Sequence, residues 1–122
     1  MQNRMRSDYP TSYQTGLRAE FWARMYLRLH GFRIIHTRYV TGRHTGRAEI
    51  DIIARRKNLI VFCEVKHRPT PTDAWDAITA RQNARLRAAA ETYLMRTGWR
   101  GDARFDVIIV TPRGIQWVKN SL

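Results

Sequence analysis

Two short segments place ionisable side chains inside apolar runs: Glu49-Ile50-Asp51-Ile52-Ile53 and Val61-Phe62-Cys63-Glu64-Val65-Lys66. On a strand, alternate side chains share a face, so Asp51 is expected beside Glu49, and Glu64 beside Lys66. The other residues are Ile, Val, Phe and Cys, the composition of central strands covered on both faces, where a charge is costly unless paired or metal-bound. Two carboxylates on neighbouring strands suit Mg2+, which takes a few carboxylate oxygens and keeps several waters; Mn2+ is an alternative ion. Asp51 and Glu64 are the expected metal ligands, the backbone carbonyl of Val65 is a candidate third oxygen, and Glu20 is expected to reach through a water or to hold a second ion. Lys66 is placed to orient or deprotonate an attacking water, or to stabilise charge developing on a phosphorane. The alternative is structural: a buried salt bridge of Glu64 with Lys66, with Asp51 and Glu49 at a strand edge. Two acidic interruptions of adjacent apolar strands are hard to justify by stability alone.

Charge supplies the second signal. The chain of 122 residues has 22 Lys and Arg against 10 acids, a formal net charge of +12. That surplus suits a polyanion and, combined with a metal site, points to metal-assisted hydrolysis of nucleic acid. Charge alone would equally fit a ribosome-associated or membrane-surface protein. The length allows one domain with one core. The single cysteine, Cys63, excludes an intrachain disulfide and a Cys-rich zinc site, and reads as a small buried hydrophobe. No apolar run is long enough to span a bilayer and no signal-peptide pattern follows the basic N-terminus, so a soluble cytoplasmic protein without membrane contact is expected.

The elements that must position these groups can be read in order. Residues 1–15 read as a flexible basic tail and 16–122 as one domain. A helix is expected from Gly16 to His30, with Leu17, Phe21 and Leu27 near helical spacing, Glu20 on the same stripe, and Gly31 as the C-terminal cap. An exposed or capping role for Glu20 is the other possibility. Strands are expected over Phe32–Val40, Ala48–Ala54 and Leu59–His67, joined as antiparallel hairpins. The first connection is a basic glycine loop, Thr41-Gly42-Arg43-His44-Thr45-Gly46-Arg47. Thr72 is a plausible N-cap for a second helix to about Arg96, with Ile78, Leu86, Ala89 and Tyr93 inward, Gln82 on the same row, and Gly98 ending it. Phe105–Val110 reads as a buried strand, Pro112-Arg113-Gly114 as a turn, and Ile115–Val118 as an edge strand.

Asp51, Glu64 thirteen residues later and Lys66 one residue beyond form a pattern that resembles the PD-(D/E)XK nuclease signature, with Ile50 in the place of its loosely constrained proline. More closely, the chain resembles the YraN-like family of small endonuclease-like proteins, related to archaeal Holliday-junction resolvases. The likeness runs from Gly16-Leu17-Arg18-Ala19-Glu20 through Ala48–Ile53, Val61–Arg68 and Arg85-Leu86 with Ala90, Tyr93 and Leu94, to Arg104-Phe105-Asp106-Val107. The resemblance implies a restriction-endonuclease-like α/β fold, a mixed five-stranded sheet flanked by helices in the order αβββαββ. It also implies a catalytic set of Glu20, Asp51, Glu64 and Lys66, acting on DNA and, in the branched-DNA case, as a homodimer that makes paired cuts. Two residues depart from the pattern: Ala48 replaces a customary glycine, and Gln82 replaces an expected inward lysine, so that phosphate or transition-state stabilisation from that helix is either weaker or supplied by Arg81 or Arg85. The nucleic-acid contacts expected are Arg43, His44, Arg47, Arg68, Arg81, Gln82 and Arg85. A nucleic-acid-binding module with the same fold and little catalysis is the main rival, and an interaction protein on a basic assembly is a third reading.

Other residues carry less. Glu49 fits a supporting partner of Arg68 or Lys66, or a simple ion pair. Asp106, in a buried strand, fits a structural acceptor better than a ligand. His30, His36, His44 and His67 lack metal-ligand spacing. His67 should point away from Lys66, and Trp75 and Trp99 read as packing residues.

Overall fold

A computed structural model describes residues 12–41, 48–69 and 80–120. The elements are α1 (Ser12–Leu29), β1 (Arg33–Thr41), β2 (Ala48–Arg56), β3 (Leu59–His67), α2 (Ala80–Thr97), β4 (Asp102–Thr111) and β5 (Gly114–Val118). The order αβββαββ is the one expected. The third strand begins and ends at the expected residues; α1 begins at Ser12, four residues before Gly16, because nothing between them breaks a helix. Thr72, Trp75, Ile78 and the loop residues Arg43, His44 and Arg47 lie outside the described residues.

The five strands form one sheet in the order β1-β2-β3-β4-β5. The first three are antiparallel neighbours, β3 and β4 run parallel, and β5 returns antiparallel along the edge. The parallel step follows from the connection between β3 and β4: parallel neighbours need a crossover, and α2 lies within it. This is the mixed sheet of a restriction-endonuclease-like α/β fold.

Among the described residues, one helix covers each face. Ala19, Ala23 and Leu27 of α1 repeat every four residues and pack on Ile52, Ala54, Val61, Cys63 and Ile108. Leu86, Ala89, Ala90 and Tyr93 of α2 pack on Ile50, Ile53, Ile60 and Phe62. The small Ala19 and Ala23 let α1 sit close to the sheet. Leu17 and Phe21, expected in the core row, lie instead on the outer side of α1, 37% and 45% exposed. The period alone could not choose between them and the alanine stripe, since apolar residues nearly encircle the helix.

Both helices end as their glycines predict. Gly31 (φ +84°) and Gly98 (φ +66°) adopt the left-handed conformation. The Phe32 and Gly31 amides donate back to the Leu27 and Arg28 carbonyls, and those of Trp99 and Gly98 to Leu94 and Met95, the Schellman pattern. Phe32 and Leu27 then meet in the core, which fixes the angle at which the chain enters β1. Toward the β5 edge of the sheet, the fully buried Asp106 accepts from Arg104 Nε and Nη2 at 2.9 Å each, from Trp117 Nε1 at 2.8 Å and from the Asn120 amide at 2.9 Å. It is a structural acceptor that ties β5 and the following turn to β4.

Candidate active site

The site is created where regular strand geometry fails. His36 and Tyr39 of β1 both contact Tyr93 of α2, and Ile50 and Ile53 of β2 share one core layer. Residues three apart on a regular strand face opposite sides, so both strands reverse their facing in between. In β1 the reversal falls at Arg38, whose φ of +52° is rare for a residue with a Cβ. In β2 it falls at Asp51, which stands across from Arg38 between the pairs Thr37↔Ile52 and Tyr39↔Ile50.

The same place marks the end of the β2–β3 ladder. Backbone pairing runs from Arg56↔Leu59 to Ile52↔Cys63 and stops, while β2 continues against β1 and β3 continues against β4. The two strands part, and the Asp51 carboxylate fills the gap. Its Oδ2 accepts from the Val65 amide at 2.8 Å, replacing the lost backbone acceptor. Glu64 comes up on the neighbouring strand, 6% exposed. Lys66, two residues on and therefore on the same face, places Nζ 3.3 Å from Glu64 Oε1, and Gln82 Nε2 of α2 donates to that same oxygen at 3.3 Å. The expected inward direction of Gln82 and the shared face of Glu64 and Lys66 are both borne out.

A cavity of about 430 Å³ opens here. Its acidic wall is Glu49, Asp51 and Glu64; its basic wall is Arg81 and Arg85, one turn apart on α2, with Gln82 between them. Glu49 is exposed and faces the cavity together with Asp51. Arg68 lies outside this lining, its Nη1 donating to the carbonyl of His67 at 2.8 Å.

Glu20 forms an ion pair with β1. Its Oε1 accepts from Arg38 Nε at 3.1 Å, so its partner comes from the strained position on β1. It acts on the site through space, as one of the charges that raise the Asp51 pKa. Among the described residues no group of three or more His, Cys, Asp or Glu side chains that could hold a metal is found. The pairing of Glu20 with Arg38 was invisible in the sequence, because eighteen residues and a change of element separate them.

Electrostatics single out the remaining pair. Burial, then the nearby Asp51 charge, pushes the Glu64 carboxyl up to about 8, against the opposing pull of Lys66. Burial also raises Asp51 to about 6, opposed by the Val65 amide and reinforced by the charges of Glu20 and Glu49. Glu64 Oε2 is buried with no hydrogen-bond donor among the described residues. Such an oxygen is stable only with a proton or a cation on it. A donor set of two carboxylates, one with a free buried oxygen, fits a hard divalent cation of the Mg2+ type, which is characteristically held by one or two carboxylates together with waters and phosphate oxygens.

The fold is that of a nuclease-like architecture of the restriction-endonuclease-like class. Residues 19–110 match the model of the family described as "Uncharacterised protein family UPF0102". The chain belongs to the UPF0102 family. It is 44% identical over 100 residues to a UPF0102 protein of Agrobacterium fabrum, an alignment that covers 80% of this chain and 79% of that one. A UPF0102 protein of Rhodopseudomonas palustris is 42% identical over 108 residues, covering 87% and 81%, and one of Bartonella bacilliformis is 39% identical over 109, covering 88% and 86%. The resemblance drawn from the sequence motifs holds at the level of family and fold.

Proposed function

We propose that the protein is a divalent-cation-dependent endonuclease that hydrolyses phosphodiester bonds in DNA, with branched DNA as a candidate substrate. The observation that carries this reading is the buried Glu64 Oε2, without a hydrogen-bond donor among the described residues, in a cavity that it lines together with Asp51, Arg81 and Arg85. Asp51 and Glu64 would hold the ion, with the Val65 carbonyl as a third candidate; the ion, Mg2+ or Mn2+, supplies Lewis-acid polarisation of the phosphoryl group and acidifies water. Arg81 and Arg85 suit the phosphate, since guanidinium pairs with its oxygens in a planar fork. Lys66, anchored on Glu64 Oε1, keeps its ammonium beside that carboxylate, where it can stabilise charge as the phosphorus becomes five-coordinate. Asp51, tied to the Val65 amide, is held in one orientation before any ligand arrives.

Incubating the protein with four-way junctions, flaps, duplex and single strands, with Mg2+ or Mn2+ and with chelator, tests this. Cleavage should need the ion and be abolished by Asp51→Asn, Glu64→Gln or Lys66→Ala, while DNA retention stays equal or rises for the first two, which remove negative charge near phosphate. A second reading is a nucleic-acid-binding module with little catalysis. It is favoured by Gln82, whose neutral amide binds Glu64 where a lysine would bring a positive charge. DNA retention by folded protein without cleavage of any substrate would select it.

A further inference from the structure

The outer side of α1 carries a feature unrelated to the carboxylates. Trp22 is 55% exposed, whereas the other described tryptophans are half-buried and spend their indole N–H on structure, Trp99 on the Asp102 carbonyl and Trp117 on Asp106. Phe21 props Trp22 edge-on, with ring centroids 5.4 Å apart at 79°. Two cavities border the indole. One, of about 370 Å³, is shared with Arg18, one helical turn away, and with His67, the residue after Lys66 on β3. The other, of about 360 Å³, is shared with Pro112 and Arg113 of the β4–β5 turn. An open indole thus stands between basic side chains on either hand, at the strand end that carries Lys66.

We propose that Trp22 is a stacking platform for an unpaired base of a single-stranded nucleic-acid segment, with Arg18, His67 and Arg113 contacting the flanking phosphates. Aromatic faces take any base, and a basic groove tracks the backbone, which is the general recipe for single-strand binding. The proposal rests on the nucleic-acid reading above and narrows its substrate to DNA with unpaired nucleotides, such as a flap or an open branch point. Lys66 and His67 point to opposite faces of β3, so a strand crossing that end of the sheet passes from the candidate active site to the platform. The exposed Leu17, Phe21 and Met25 on the same helix make a second copy of the chain the competing occupant. Charge argues against it: each copy brings +12, and Arg18 and Arg28 are exposed on the same helix.

The test is binding of a fluorescent single-stranded oligothymidylate and of a blunt duplex of equal length, in chelator so that nothing is cut. Trp22→Ala should weaken single-strand binding about tenfold or more, leave duplex binding within about twofold, and leave the salt slope unchanged because no charge is lost. Trp22→Phe should recover most of the loss, and single strands should quench indole emission in the parent but not in Trp22→Ala. Equal effects on single strand and duplex, or none, would overturn the proposal, as would a shift from dimer to monomer in sedimentation of Trp22→Ala, which assigns the face to self-association. Failure of cleavage elsewhere leaves this result untouched, and an indifferent Trp22→Ala in a protein that cuts DNA removes the platform alone.

Discussion

Replacing Glu64 by Gln should make the metal-free protein more stable at alkaline pH, although it breaks a salt bridge. Glu64 is 6% exposed and its carboxyl is pushed from 4.5 to about 8, chiefly by burial. Below pH 4.5 the group is protonated in both folded and unfolded chains and contributes nothing to the difference. Between 4.5 and about 8 the unfolded chain has released the proton and the folded one retains it, so stability falls as pH rises, by about 1.4 kcal/mol per unit. Above about 8 both are ionised and the penalty is constant. The total is on the order of 5 kcal/mol, a large part of the roughly 5–15 kcal/mol that holds a domain together.

Glutamine keeps the shape and an acceptor oxygen for Lys66 Nζ, now 3.3 Å from Oε1, but carries no charge to desolvate. Lys66 is partly open to water and tolerates the loss of a full negative partner. Urea denaturation in chelator from pH 5 to 9 should therefore give similar curves for parent and Glu64→Gln at pH 5 and a variant more stable by several kcal/mol at pH 9. Saturating Mg2+ should close the gap by stabilising the parent alone. A variant that tracks the parent across this range, or is less stable at pH 9, would show that Lys66 and Gln82 already compensate the Glu64 charge and that burial does not govern the site.

Binding of Mg2+ to the parent should release protons at pH 7 and tighten through pH 6 to 8, because Asp51 and Glu64, raised to about 6 and about 8, must both ionise to coordinate. Titration calorimetry in two buffers of different ionisation enthalpy reads the proton count, and none released at pH 7 would contradict it. Arg81→Ala and Arg85→Ala should each lower the log-log salt slope of duplex binding by about 0.9, one neutralised phosphate; an unchanged slope would place the duplex elsewhere. Asp106→Ala should cost roughly 3–5 kcal/mol in thermal or urea unfolding, because it leaves the Arg104 guanidinium without its buried counter-charge, while Mg2+ binding is retained in the folded fraction.

The order of elements was legible because each boundary has a local cause. Gly31 and Gly98 stop the helices, Lys57 and Asn58 make a turn between β2 and β3, and the Leu59–His67 run reads the same in isolation as in the sheet. The shared face of Glu64 and Lys66 was legible too, since it needs only period two. Period two failed one strand away. It cannot anticipate a reversal at Asp51 and Arg38, which arises from how β1, β2 and α2 fit together, nor the capture of Glu20 of α1 by Arg38 of the edge strand β1. On α1, Leu17 and Phe21 competed with Ala19 and Ala23 for the core, and only the closeness of helix to sheet decided for the alanines.

That reversal links the parts of the site. An arginine at φ +52° costs on the order of 1 kcal/mol or more and persists only if its surroundings impose it. Here the side chain is held by Glu20 of α1, while its backbone stands across from Asp51. Were β1 and β2 regular at this point, the β2–β3 ladder could continue past Cys63, the Val65 amide would have a backbone acceptor, and no cavity would separate Asp51 from α2. Glu20, absent from the cavity lining, pairs with Arg38 in that conformation, and its charge is one of those that raise the Asp51 carboxyl.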